Sequence, residues 1–147
     1  MKFTKCLFVI GLMLSTVKAW SVGTVQHTHH CPAYFLNQES CVKYIIPSDV
    51  PTDTPIDFDL FFYQDQSDTS LPMIPVKVDG ELSVSLMMGH HGHGSAPADV
   101  EMIEAGHYKV KNASFLMPGM WSIDMKICRY GEAKCEANSL FIYLKDQ

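Results

Sequence analysis

The sequence lacks the patterns that indicate helices or a membrane span. No segment of useful length repeats its apolar residues at helical spacing, and no apolar run is long enough to cross a bilayer. Catalytic signatures are also missing, because the chain has no G-x-S-x-G motif, no H-E-x-x-H motif and no convincing pair of carboxylates. These absences argue against a helical fold, a membrane-spanning protein and an enzyme.

The first 19 residues have the order of a secretory signal. Residues 1–5 carry two lysines, an apolar run occupies residues 6–14, and Val17 and Ala19 supply the small side chains of a cleavage site. We expect cleavage after Ala19 and export to a periplasm or to the medium. The rest of the chain, residues 20–147, is expected to form one domain without a membrane span.

Basic residues are scarce outside the signal. The signal holds three of the 11 basic residues and none of the 16 acidic ones, so 8 basic residues face 16 acidic residues in the remaining 128. A net charge near −8 repels nucleic-acid phosphates and anionic lipid surfaces. Nucleic acid is therefore not an expected partner, whereas a metal cation is.

Four cysteines follow the signal: Cys31, Cys41, Cys128 and Cys135. Export places them where disulfides persist, and three connectivities are possible. Proximity along the chain favours Cys31–Cys41 and Cys128–Cys135.

The second disulfide can be checked against the strand pattern. If Cys128 faces Cys135 in an antiparallel pair, Trp121 falls opposite Ile142 and residue 123 falls opposite residue 140. Apolar side chains then meet on one face, which is the core face. The disulfide and the register support each other, and Trp121 is predicted to be buried.

Alternation of apolar and polar residues recurs along the chain. Residues 41–46 and 56–62 are expected to be strands, and Asp79-Gly80 is expected to join residues 76–78 and 82–86 in a hairpin. Two more short strands are expected at 107–111 and 113–117. The pattern predicts an all-β fold, an immunoglobulin-like antiparallel β-sandwich of about seven strands.

One glycine-broken loop at the end of a strand concentrates metal-binding side chains: Met87, Met88, His90, His91 and His93. Imidazole suits copper, zinc and nickel, while thioether sulfur favours Cu(I). The composition therefore favours copper over zinc. A solvated histidine loop beside ordinary core methionines remains the alternative interpretation. A second cluster, at His27, His29 and His30, is expected to be at most a loose site.

Three motifs resemble the FixH-like/YtkA-like domains of bacterial exported proteins. They are the methionine and His-Gly turn at 88–95, the Gly-x-Tyr strand at 106–110 and the Phe-x-Met-Pro-Gly-x-Trp turn at 115–121, within a match over about residues 56–130. The resemblance implies an immunoglobulin-like sandwich in a bacterial cell envelope, associated with copper handling or cytochrome oxidase assembly. It carries the site over to Met88, His91, His93 and Met117, with His90 as a substitute for either imidazole. The chain departs from the family where Met-Met-Gly-His-His replaces the usual Met-Pro.

The expected function is an exported copper-binding chaperone or scavenger that holds Cu(I) or Cu(II) and passes it to another cell-envelope protein. An electron-transfer cupredoxin is disfavoured, because blue-copper sites place a histidine close behind their cysteine and no histidine follows His107. Two alternatives stay open. One is an envelope interaction module that binds no metal, and the other is a copper-dependent enzyme using the same histidines.

Overall fold

The computed structural model describes residues 31–66, 70–89, 92, 94–131 and 133–145. The described residues contain eight strands and no helix. The strands are β1 (Ala33–Phe35), β2 (Ser40–Ile45), β3 (Ile56–Gln64), β4 (Glu81–Met88), β5 (Asp99–Glu104), β6 (His107–Ala113), β7 (Gly119–Cys128) and β8 (Cys135–Leu144).

The strands form two antiparallel sheets. One sheet has the order β1-β2-β3-β6-β5 and the other has the order β4-β7-β8. Alternate residues of both sheets face inward and form one hydrophobic core between them, as expected of a β-sandwich. Its largest fully buried side chains include Trp121, Phe35, Phe58, Phe62, Phe115, Leu60 and Leu86. The predicted all-β sandwich is confirmed.

Both expected disulfides are present, joining Cys31 to Cys41 and Cys128 to Cys135. The second disulfide links directly opposed residues of β7 and β8, and the register continues along the pair. Trp121 faces Ile142 as expected, and it is completely buried. The alternating face of β7 is therefore the core face.

The expected hairpin around Asp79-Gly80 is wrong. Residues 76–78 do not pair with β4; instead the Val76 amide donates to the Phe62 carbonyl (2.9 Å), and the Val78 amide donates to the Tyr108 hydroxyl (3.1 Å). This segment crosses from one sheet to the other. β4 pairs along its whole length with β7, which offers many more apolar contacts than a three-residue partner.

The strand boundaries differ from expectation in three further places. β6 is one continuous strand to Ala113, and residues 114–118 form a connection instead of the expected strand. β1 and β5 were missed, while the expected strands at 76–78 and 113–117 are absent, and the described residues contain eight strands where about seven were expected. β1 has only three residues, and β5 is an edge strand whose side chains are mostly exposed, so neither shows the alternation of a half-buried strand.

Candidate functional site

The two turns expected to form the metal site lie at the same end of the sandwich. β4 ends at Met88, β7 begins at Gly119, and Met88 is opposite Trp121 in the antiparallel pair. The loop that leaves β4 at Gly89 therefore starts beside the Met117-Pro118-Gly119 turn. A metal site built from residues of both turns requires the two turns to be neighbours in this way.

Trp121, on the core side of the Met-Pro-Gly turn, holds this turn in place. The indole Nε1 donates a hydrogen bond to the Met117 carbonyl (2.9 Å), and the indole packs edge-on against Phe115, with ring centroids 5.5 Å apart. A buried tryptophan thus finds the acceptor that its N–H needs. Met117 itself is 40% exposed at the end of the sandwich.

Met88 is different from Met117, because it belongs mainly to the core. It is only 8% exposed and continues the buried face of β4. A Cβ added to residue 119 would lie 2.6 Å from the Met88 Cε atom, and Gly119 has a φ of +132°. Glycine is required there by both the backbone and the methionine.

The described residues on the far side of the histidine loop return to β4. Gly94 forms a bridge with Met87, and the Ser95 amide donates to the Leu86 carbonyl (3.0 Å). A Cβ added to Gly94 would lie 2.6 Å from the Met87 sulfur, so this thioether packs directly against the returning chain. The loop is anchored at both ends on β4.

The predicted imidazole ligands of this loop, His90, His91 and His93, lie outside the described residues. The N-terminal cluster of His27, His29 and His30 lies outside them as well.

The strand register adds two methionines that the resemblance did not. Met87 is opposite Ser122, so it shares the outer face of the sheet with Met120, two residues away along β7. Met120 is 45% exposed. We call Met87, Met88, Met117 and Met120 the methionine end. The sequence analysis did not single out Met120, although its position directly before Trp121 in an alternating strand is a signal that could have placed it on the opposite face.

Cysteines do not contribute to a metal site among the described residues. Within the part of the chain that the structure describes, the one group of three histidine, cysteine or acidic side chains close enough to share an ion is Cys31, Cys41 and Asp65. Its two sulfurs are joined in a disulfide, so they are not thiolate ligands. The soft donors that remain are the methionine thioethers.

A second polar cluster, which sequence reasoning did not single out, lies on the outer face of the five-stranded sheet. His107 Nε2 is 2.7 Å from Asp59 Oδ1, and the Lys109 ammonium lies 2.9 Å from the same carboxylate oxygen. Burial disfavours the ionised carboxylate, but the hydrogen bonds from His107 and Lys109 and their charges outweigh burial and lower the pKa of Asp59. Asp59 is therefore an anion at neutral pH.

Comparison of the chain with family models, with curated proteins and with solved structures found no match. No helix in the part of the chain that the structure describes is long and apolar enough to cross a membrane.

Proposed function

We propose that this protein is an exported copper-binding protein that carries copper as cargo at the methionine end. The observation that carries the proposal is the opposition of Met88 and Trp121 in the β4–β7 pair. It brings the start of the histidine loop beside the Met117 turn, so two separate sequence motifs, one rich in histidine and one in methionine, begin or end at the same end of the fold.

The donor set favours copper. Thioether sulfur is a soft ligand that contributes to Cu(I) and little to Zn(II), while imidazole binds both ions. The cysteines that follow residue 30 are all in disulfides, so they do not compete as thiolates. Met117 and Met120 are exposed, whereas Met88 is nearly buried. In this proposal Met117 and the loop histidines are the main ligands, and Met88 contributes an additional thioether from the core side.

Release of copper to another cell-envelope protein would need no catalytic group. A site at one end of the sandwich suits transfer, because a partner can approach the exposed residues Met117 and Met120 directly. The resemblance to FixH-like/YtkA-like domains points the same way, and the two disulfides fit an oxidising compartment. An envelope module that binds no metal is the alternative, and the titration below separates the two.

We infer that the sandwich is of the immunoglobulin-like type. With β1 left aside, the orders β2-β3-β6-β5 and β4-β7-β8 correspond to the A-B-E-D and C-F-G sheets of a constant-type immunoglobulin domain. The correspondence departs from antibody domains in that Trp121 is on strand F instead of strand C, and neither disulfide joins strands B and F. An experimental structure with another strand order would contradict it.

The experiment is a competition titration against a chromophoric Cu(I) chelator, repeated with Zn(II). We expect Met117→Leu to weaken Cu(I) binding by about tenfold, equivalent to about 1.4 kcal/mol, and to leave Zn(II) binding nearly unchanged. Met88→Leu, which keeps the core volume, should act in the same direction. The double variant His91→Ala with His93→Ala should weaken both metals.

The matched control is Met102→Leu, which changes a methionine of similar exposure on β5 (49% exposed, against 40% for Met117). It should leave both affinities unchanged. Unaltered copper affinity in the double-histidine variant would move the site to His27, His29 and His30. Absence of stoichiometric Cu(I) binding by the wild-type protein would leave the methionine end without a metal role.

A further inference from the structure

A small cavity lies at the opposite end of the five-stranded sheet from the methionine end. Its volume is about 300 Å³, and its lining includes Phe61, Tyr63, Met73, Pro75, Glu104 and His107. We call it the His107 pocket. His107 is the first residue of β6, and the other end of β6 leads through residues 114–118 into the methionine end. The two regions are thus separated by the length of the strand.

The imidazole of His107 is held in one orientation. Its ring stacks on Phe61, with centroids 4.5 Å apart and an interplanar angle of 16°. The preceding residue, Gly106, has a φ of +78°, and a Cβ there would lie 2.7 Å from the Phe62 carbonyl oxygen. Glycine therefore allows the tight turn from β5 into β6 that places His107 over the pocket.

The hydrogen bond to Asp59 decides which ring nitrogen can bind a metal. A carboxylate accepts hydrogen bonds and does not donate them, so His107 Nε2 must carry the proton that lies between it and Asp59 (2.7 Å). In the neutral ring Nδ1 then holds the free lone pair. Metal-binding histidines commonly have this arrangement, in which a carboxylate bound to one nitrogen orients the other toward the ion.

The free nitrogen faces a carboxylate across the pocket. His107 Nδ1 and Glu104 Oε1 are 3.9 Å apart, which is too long for a hydrogen bond. Metal–ligand bonds to nitrogen and oxygen are about 2.0–2.2 Å, so two atoms on one ion can lie up to about 4.3 Å apart. The observed separation fits within that limit, and the exposed Glu104 carboxylate (77%) can adjust.

A third potential ligand comes from the segment beside β3. The Gln64 amide donates to the Ile74 carbonyl (2.9 Å), and Tyr63 forms a bridge with Pro75. This pairing holds the chain against β3 and places the neighbouring Met73 in the lining of the pocket.

We propose that Met73, Glu104 and His107 form a second metal site, which binds a divalent transition-metal ion of the Cu²⁺ or Zn²⁺ class. Imidazole nitrogen suits these ions, and affinity rises along the first row to Cu²⁺. Ca²⁺ needs six to eight oxygen ligands, and one glutamate does not supply them. Asp59 is a positioning residue in this site, because it acts on the metal only through His107. The site does not depend on the copper function of the methionine end.

The test begins with a background variant in which the other six histidines are changed to asparagine: His27, His29, His30, His90, His91 and His93. The chain has seven histidines, so His107 is then the only imidazole left. This background also removes the imidazoles of the proposed copper site, so the two proposals succeed or fail separately. The probes are Zn²⁺, followed by ¹⁵N NMR of the single imidazole, and Cu²⁺, followed by electron paramagnetic resonance.

We expect one Zn²⁺ per chain to shift the Nδ1 resonance of His107, and one Cu²⁺ to show coupling to a single imidazole nitrogen. His107→Gln should abolish both signals. Asp59→Asn should weaken metal binding by about 10–100-fold. In the metal-free protein it should also increase the fraction of His107 that carries its proton on Nδ1 instead of Nε2. If Asp59 had a purely structural role, its substitution would not change the tautomer populations of His107.

Two variants test the remaining ligands. Glu104→Gln should weaken binding of both ions, and Met73→Leu should weaken Cu²⁺ binding more than Zn²⁺ binding. The matched control is Glu101→Gln, which removes the same charge from the same strand but lies beside Lys111 instead of His107. Equal losses from Glu101→Gln and Glu104→Gln would overturn the proposal, since they would indicate general electrostatic attraction. Binding that survives His107→Gln, or a shift at Nε2 instead of Nδ1, would overturn it as well.

Discussion

The two proposed metal sites, the methionine end and the His107 pocket, differ in how their candidate ligands are held. The thioethers of the methionine end are numerous and soft, and they come from the end of β4, the Met117 turn and the start of β7, which lie side by side because β4 and β7 pair. In the His107 pocket the donors are few, but His107 stands on a paired strand and is oriented by Asp59. The first proposed site is rich in candidate ligands, whereas the second is preorganised.

The comparison illustrates two ways in which a protein can form a binding site: by supplying many ligands, or by orienting a few of them in advance. Ligand-rich composition can be recognised in one stretch of sequence, whereas preorganisation depends on neighbours that are distant along the chain. Asp59 and His107 are separated by 48 residues, and they meet because β3 and β6 are adjacent in the sheet. Orienting one imidazole in advance lowers the entropy cost of binding, so a preorganised site needs fewer ligands.

The largest expected effect is on stability, and it comes from removing Trp121, the buried residue that packs beneath the Met117 turn. Trp121→Ala should lower the free energy of unfolding by about 3–5 kcal/mol, because it removes a completely buried indole and leaves a cavity. It also removes the hydrogen bond to the Met117 carbonyl, so Cu(I) affinity should fall as well. Denaturant unfolding with far-UV circular dichroism measures the first effect.

Tyr130→Ala is the matched control for Trp121→Ala, because it removes a large aromatic residue that is 84% exposed. Its effect on stability should be small. A similarly small effect for Trp121→Ala would contradict the role of Trp121 as the anchor of this end.

Acidification tests whether the loop histidines are copper ligands at the methionine end. An ordinary imidazole has a pKa of about 6.5, and protonation removes its lone pair from the metal. If His91 and His93 both bind copper, Cu(I) affinity should fall roughly 100-fold between pH 7.5 and pH 5.5, about tenfold for each imidazole. Chelator competition across this pH range measures the slope, and the double-histidine variant should lose most of it. A slope that is unchanged in that variant would assign the protons to other groups.

The smallest expected effect concerns the stability of the His107 region. Asp59→Asn should lower the free energy of unfolding by about 1–2 kcal/mol at neutral pH, because two charge-assisted hydrogen bonds at a partly exposed site are weakened. The pKa of Asp59 is lowered in the folded protein, so its contribution is present above the unfolded pKa of about 3.9 and is lost as pH falls through the folded value. Urea unfolding of wild type and variant at pH 7 and pH 3 should therefore show a difference that shrinks in acid. A difference that persists at pH 3 would point to packing instead of charge.

Alternation along the chain was a good guide where strands are long and half-buried. It placed Trp121 in the core and, together with the cysteine spacing, predicted the β7–β8 register. It failed at residues 76–78, where an apolar–polar–apolar triplet next to a turn has the pattern of a hairpin. The amides of Val76 and Val78 instead bond to Phe62 and Tyr108 on the other sheet. Three residues contain too little pattern to distinguish a strand from a crossing between sheets.

The sequence by itself determined the β class, both disulfides and the concentration of methionine and histidine in one loop. These features depend on residues that are close along the chain, or on a pattern that repeats over a whole strand. Only the tertiary structure decided that Met88 is nearly buried while Met117 is exposed, and that His107 has its Nε2 proton held by Asp59. The physical reason is that burial and ring orientation depend on which strands become neighbours. Strand order is a property of the whole sandwich, because each strand takes the partners that bury the most apolar surface.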